Sequence, residues 1–232
     1  MMMERLSKHL AYTVVADSAT VAHVAAERIL LAAAEAIADH GHFTLVLAGG
    51  STPQAAYRLL AVADAAWSQW HIYFGDERCL PADDHERNSR MAFEAWLTHV
   101  PIPREQIHLI RAEQGAERAA AEYNALIEAV LPFDLVLLGM GEDGHTASLF
   151  PGQQHTDDAW AVPVYHAPKP PPERVSLTSH ALSNSRALLL MVTGETKHEA
   201  LQRWANGESL PVTTLHPQTP IQLLLDRAAA GL

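Results

Sequence analysis

The 232-residue chain has one cysteine, Cys79, so no internal disulfide can form; such usage suits a reducing compartment, and the cytoplasm is the expected location. Basic residues are also scarce. Sixteen Lys and Arg stand against twenty-seven Asp and Glu, a formal charge of -11 that would repel a phosphate backbone over most of the surface and argues against nucleic acid as a partner. A small anionic ligand stays open on one condition: the few cations must gather in one cleft. Long apolar runs are missing too. The Ala-rich stretch from Val21 to Ala38 is broken by His23, Glu27, Arg28 and Glu35, and "MMMERLSKHL" lacks an apolar core of signal-peptide length, so neither a membrane span nor a leader is expected. With 48% apolar and 19% charged residues and no repeat period, the composition is that of an ordinary globular protein, expected to form one domain over residues 1–232.

What is present is an alternation. Short apolar runs "YTVV", "FTLVLA", "HIYFG", "IHLI", "DLVLLG" and "ALLLMV" precede helical patterns at Asp17 to His40, Thr52 to Ala66, Asn88 to Leu97, Gln114 to Leu131, Thr146 to Phe150 and Thr196 to Asn206. Continuous apolar strands linked by helices must be dry on both faces, which predicts an α/β fold: a doubly wound, mostly parallel sheet with helices on both faces. "YHAPKPPPERV" is the clearest loop, because three prolines exclude helix and ladder alike; it reads as a flap, with a strand "RVSLTS" after it.

In such a sheet, ligands bind outside the carboxyl ends of the strands. Four ends are polar. "LAGGSTPQAAY" offers Gly49, Gly50, Ser51 and Thr52, with Thr52 expected to cap a helix that has Pro53 at its first position, an anion site in outline. It is not a Walker loop, since no Gly-Lys-Ser/Thr follows. The next end, "FGDERCLPADDHERNSRMA", supplies Asp76, Glu77 and Arg78: the fork of Arg78 suits phosphate, the carboxylates suit sugar hydroxyls, and a solvated loop explains the trio equally well. Asn88 reads as ligand contact or helix cap, and Cys79 as a packing residue.

The third end, "DLVLLGMGEDGHTASLFPG", contains a literal G-x-G-x-x-G. A dinucleotide site needs an uninterrupted helix after the glycines, but Pro151 and Gly152 cut this one short, and Glu142 and Asp143 stand where a pyrophosphate would sit. What remains is a loop presenting Asp143, Gly144 and His145, a carboxylate two positions from an imidazole, which is equipment for proton transfer. The fourth end, "VTGETKHEAL", puts Lys197 on the first turn of a helix, where a cation opposes the dipole unless an anion is present. Arg174, opening "RVSLT", is a second candidate cation or a bland surface residue. No G-x-S-x-G elbow and no H-E-x-x-H occur, and "HTDD" at His155 reads as a solvated loop, so neither a serine nucleophile nor a metal is expected.

Together, "LAGGSTPQAAY", "FGDERCLPADDHERNSRMA", "DLVLLGMGEDGHTASLFPG", "RVSLTSHALSNSRALLLMVTGETKHEAL" and the ending "LHPQTPIQLLLDRAAA" resemble the 6-phosphogluconolactonases of the oxidative pentose phosphate pathway. The resemblance implies a Rossmann-like fold and hydrolysis of 6-phospho-D-glucono-1,5-lactone with no cofactor. It makes His145 the base that activates water, positioned by Asp143, and gives phosphate or sugar to Ser51, Thr52, Arg78, Lys197 and Arg174. One departure is "RNS", with Arg87 before Asn88 where the family often has Ser-Asn. The first rival is an amino-sugar-phosphate deaminase, which carries a glutamate shortly after the histidine where this chain has Phe150; the second is a sugar-phosphate sensor without catalysis. The expected partner is thus a small phosphosugar lactone, acted on by a monomer or weak homodimer.

Overall fold

The structure, a computed structural model, describes residues 2–6, 10–153 and 158–232. His155 therefore lies outside the described residues. Six strands form one sheet in the order β1-β9-β8-β5-β2-β3: β1 (Leu10–Val15), β2 (Phe43–Leu47), β3 (Trp70–Phe74), β5 (Phe133–Gly139), β8 (Ser185–Val192) and β9 (Ile221–Asp226). Every pairing in it is parallel. Neighbouring residues on a strand point to opposite faces, and every residue of β2 and all but the last of β5 are buried, so both faces at the sheet centre are covered.

The helices begin and end for local reasons. After the short α1 (Met2–Leu6), α2 (Ser18–His40) starts where Asp17 accepts the Thr20 N–H at 2.8 Å, and stops at Gly41, whose φ of 86° is left-handed. α3 spans Ser51–Leu60 and is capped by Gly50, not by Thr52 as the sequence predicts, which leaves Pro53 at the third helical position. It ends six residues before the expected Ala66, and a 3₁₀ turn at Trp67–Gln69 leads into β3. α4 (Asn88–Ala92) runs into a π-turn at Phe93–Leu97, and α5 covers Ala116–Glu128. The segment "IHLI" makes a single bridge, Ile72 to Ile107, and is no strand. α6 (Ser179–Ser183), α7 (His198–Ala205) and α8 (Arg227–Ala230) complete the helices, with the Glu195–Lys197 stretch forming a 3₁₀ turn ahead of α7.

A second sheet is absent from the sequence reading. β4 (Asp76–Arg78), β7 (Arg174–Leu177) and β6 (Ala161–Val164) pair antiparallel in the order β4-β7-β6. Gly75 joins the two sheets: its N–H donates to the Leu47 carbonyl of β2 at 2.9 Å, and its carbonyl accepts from Leu177 of β7 at 2.8 Å. The chain order along the large sheet reverses between β2 and β5, the topological switch point, and the small sheet sits beside those strand ends.

Candidate active site

At that switch point lies a cavity of about 260 Å³. Its wall takes Gly49 and Gly50 from the end of β2, Asp76 and Arg78 from β4, Gly139 and Gly141 from the end of β5, and His145 from the following loop. Phe150, Lys169, Arg174, Lys197 and Asn88 close it. Three of the cations named from the sequence thus meet in one cleft despite the acidic whole, and Lys169 joins them.

The His145 loop folds on itself. Gly141 donates its N–H to the His145 carbonyl at 2.8 Å, Gly144 donates to the Gly141 carbonyl at 3.0 Å, and the Thr146 hydroxyl donates to the Gly139 carbonyl at 2.8 Å. The expected helix from Thr146 to Phe150 does not form. Ala147 adopts φ of 48°, a left-handed value that breaks a helix, and Ser148 is drawn away to Asp76, its hydroxyl donating at 2.6 Å. Gly144, at φ of 83°, is buried against Leu210 and donates nothing to the cavity wall; its carbonyl accepts from Val212 at 3.1 Å.

Asp143 stands behind the imidazole and outside the cavity lining, with Oδ1 at 2.5 Å from His145 Nδ1 and 3.1 Å from the His145 backbone N–H. A carboxylate only accepts, so Nδ1 carries the ring proton and Nε2 keeps its lone pair. Burial raises the Asp143 carboxyl, but the hydrogen bonds from the His145 N–H and ring, with the ring's charge, outweigh it and hold the group below its ordinary value. The Phe150 ring packs on the imidazole at 4.8 Å between centroids. Gly141 leaves the imidazole its place: a Cβ there would lie 2.0 Å from His145 Nδ1 and 2.7 Å from Asp143 Oδ1. Gly141→Ala is therefore expected to swing both side chains aside and cut turnover about 10²-fold, the scale of a 1 Å misplacement, with the melting temperature little changed. Unchanged turnover in a steady-state assay would mean that the imidazole does no work at this position.

The cations are placed by the small sheet. Arg78 and Arg174 are directly paired across β4 and β7, an arrangement of like charges that is unfavourable without an anion between them. The Arg78 guanidinium donates to the Glu86 carbonyl at 2.6 Å. Arg174 is not the surface residue its position suggested: it is buried, and donates to the carbonyls of Pro171, Lys169 and Pro170 at 3.2, 2.8 and 3.2 Å. Those bonds tie the proline-rich loop to β7 and hold Lys169 at the cavity wall, and the guanidinium also lies 5.4 Å from the centre of the Phe150 ring. Burial lowers Arg174, with Asp76 opposing the shift and Arg78 adding to it. Burial likewise pushes the Lys197 ammonium down; Glu142 and Asp143 oppose this, and Lys169 adds to it.

Other candidates have structural duties. Ser51 is exposed, and neither it nor Thr52 lines the cavity; the Thr52 hydroxyl pairs with that of Thr193 at 2.7 Å. Asp76 accepts from Asn88 Nδ2 at 2.9 Å as well as from Ser148, so it organises two neighbours. Glu77 does not line the cavity. Its carboxylate is buried, accepts the N–H groups of Asn88 and Ser89 at 2.8 Å each, and thereby caps α4, the role the sequence left open for Asn88. Arg87 lies 3.4 Å from Glu77 and 2.8 Å from Glu113, both guanidinium to carboxylate, which explains an arginine in the "RNS" position. Burial pushes the Cys79 thiol up to about 11, as befits a packing residue. Lys169 was missed, although a lone lysine among four prolines was the available signal.

A parallel sheet whose switch point carries clustered cations and a carboxylate-backed imidazole defines a Rossmann-like α/β protein with a cation-lined cavity at its strand ends. A family model described as glucosamine-6-phosphate isomerases/6-phosphogluconolactonase matches residues 16–225, and the chain belongs to that family. It is 36% identical over 236 residues to a 6-phosphogluconolactonase of Mycobacterium leprae, covering 93% of this chain and 96% of that one. It is also 36% identical over 208 residues to a probable chloroplastic 6-phosphogluconolactonase of Oryza sativa subsp. indica, where the match covers 79% of this chain and only 64% of the longer plant protein. Among solved structures, a 6-phosphogluconolactonase from Thermotoga maritima superposes with a TM-score of 0.87 at 27% identity, over 94% of this chain and 99% of that one.

Proposed function

We propose that the chain hydrolyses 6-phospho-D-glucono-1,5-lactone to 6-phospho-D-gluconate. The observation that carries this reading is the placement of an imidazole with a free Nε2, fixed by Asp143, in one cavity with Arg78, Lys169, Arg174 and Lys197. The cations hold the phosphate, and that remote binding energy orients the ring carbonyl for attack. Water passes a proton to His145 Nε2 as its oxygen bonds to C1, and the Asp143 carboxylate stabilises the imidazolium that forms. The tetrahedral adduct collapses by breaking the bond from C1 to the ring oxygen, which takes the proton back from the imidazolium. The acid produced then ionises in water. The N–H groups of Gly141, Gly144 and His145 are engaged within the loop, so they do not serve as oxyanion donors.

The deaminase reading is disfavoured by Phe150, an apolar ring packed at a tilt against His145 that relays no proton. Acid release from freshly prepared 6-phosphogluconolactone, run beside ammonia release from glucosamine 6-phosphate, separates the two; ammonia without lactone hydrolysis would reverse the assignment. Among the described residues no helix is long and apolar enough to cross a membrane. We place the activity in the cytoplasm, in a monomer or weak homodimer without nucleic acid, a state that light scattering measures.

The lowered Lys197 value fixes the sign of one pH effect. A lysine with a depressed pKa loses its charge as pH rises through a value below the ordinary 10.5. Affinity for 6-phosphogluconate as a competitive inhibitor is therefore expected to weaken on the alkaline side earlier than a free lysine would allow, and Lys197→Arg should move that limb to higher pH. An alkaline limb that is the same in the arginine variant would remove Lys197 from the anchor.

A further inference from the structure

Asp134 lies at the start of β5, five residues or roughly 17 Å from Gly139 at the cavity end, beside imidazoles that the proposed hydrolysis does not use. His40 is the last residue of α2 and His42 immediately precedes β2; the left-handed Gly41 between them turns the chain so that their Nδ1 atoms face each other at 3.3 Å. His40 Nε2 lies 2.9 Å from Asp134 Oδ1, and the same buried carboxylate accepts the Thr44 N–H and hydroxyl at 2.8 and 2.9 Å through Oδ2. Because a carboxylate only accepts, the proton of His40 is on Nε2, and its Nδ1 lone pair points at His42.

A separation of 3.3 Å is long for a hydrogen bond. It matches the edge of a metal-centred tetrahedron: two nitrogens on bonds of about 2.05 Å to zinc lie about 3.3 Å apart. The carboxylate behind His40 is the outer-shell partner that fixes the tautomer and orientation of a ligating imidazole. His71 on β3 adds a third ring, 5.9 Å from His42 between centroids. We propose that His40 and His42 bind a divalent transition cation of the Zn²⁺ class through their Nδ1 atoms, with Asp134 orienting His40 and water completing the coordination. Arg186 Nε is 3.3 Å from Asp134 Oδ1, but its charge is offset by Asp134 and by Asp39, 3.9 Å from its Nη1. Such an ion would fasten the end of α2 to the start of β2 and, through Asp134, to β5, so its effect is on stability.

The test is a calorimetric titration of the full chain with Zn²⁺, repeated on His42→Ala, Asp134→Asn and His145→Ala. His42 is exposed and lies outside the catalytic loop, so lactone turnover of His42→Ala should match the parent and certify its fold. The parent is expected to bind one more Zn²⁺ per chain than His42→Ala, and to gain a Zn²⁺-dependent rise in melting temperature that this variant lacks. Asp134→Asn can still accept from Thr44 but no longer from His40, and should weaken that site about 10–100-fold. His145→Ala should retain it, and Co²⁺ should show visible bands of tetrahedral intensity in the parent and not in His42→Ala. The same stoichiometry and affinity in the parent and His42→Ala would overturn the proposal, as would loss of the tight site in His145→Ala alone.

Discussion

His145→Ala is expected to lower kcat by about 10²–10⁴-fold, the range contributed by one positioned general base, while the inhibition constant of 6-phosphogluconate stays nearly constant. The split follows from the cavity. The cations that line it come from β4, β7, the proline-rich loop and the turn before α7, and among the described residues none of them is hydrogen-bonded to the imidazole. Asp143→Asn sharpens the test, because an amide can donate to Nδ1 and so move the ring proton to Nε2, removing the lone pair that accepts from water. That variant should lose most of the turnover with the ring still in place. Steady-state kinetics with product inhibition checks both, and a variant lacking the imidazole that turns over at the parental rate would end its role as base.

Arg87→Met is expected to destabilise the fold by about 3–5 kcal/mol, since removing one partner of a buried ion pair leaves the other charge uncompensated. Glu77 is 1% exposed and Arg87 2%, so water cannot replace the missing guanidinium. Its bond to the Ile110 carbonyl at 2.8 Å would be lost as well. The double variant Arg87→Met, Glu77→Gln should recover part of the loss, because the neutral amide still accepts one N–H of α4 without burying a charge. Urea unfolding of the three proteins measures this. A single variant as stable as the parent would show that the pair is not what fixes α4, and with it Asn88, at the cavity wall.

The centre of the large sheet was legible because β2, β5 and most of β8 are dry on both faces and read as unbroken apolar runs, whereas β1 is partly exposed and β9, interrupted by Gln222, was not read as a strand. The small sheet was not legible. β4 is the all-charged segment Asp76-Glu77-Arg78, which becomes a strand only because β7, from a distant part of the chain, supplies its hydrogen bonds. β6 holds a proline, Pro163, and sits at the edge, where a missing donor is tolerated. At the site, His145 and Asp143 were readable from two positions of sequence, whereas the separation of Asp76 and Arg78, at the wall, from Glu77, under a helix end, depends on which way each side chain of one short strand points. Thr52 shows the limit of local capping rules: Gly50 can adopt φ of 103° and takes the cap, freeing the threonine hydroxyl for Thr193.

The opposed arginines of β4 and β7 have a consequence for the protein's upkeep. Their mutual repulsion, only partly offset by Asp76 and Glu86, is a cost of the assembled state that an anion held between them would relieve, so resistance to thermal or proteolytic opening is expected to rise with the concentration of a phosphorylated ligand. On the proposed function, a cell that stops making the lactone would then hold a more perishable copy of the protein.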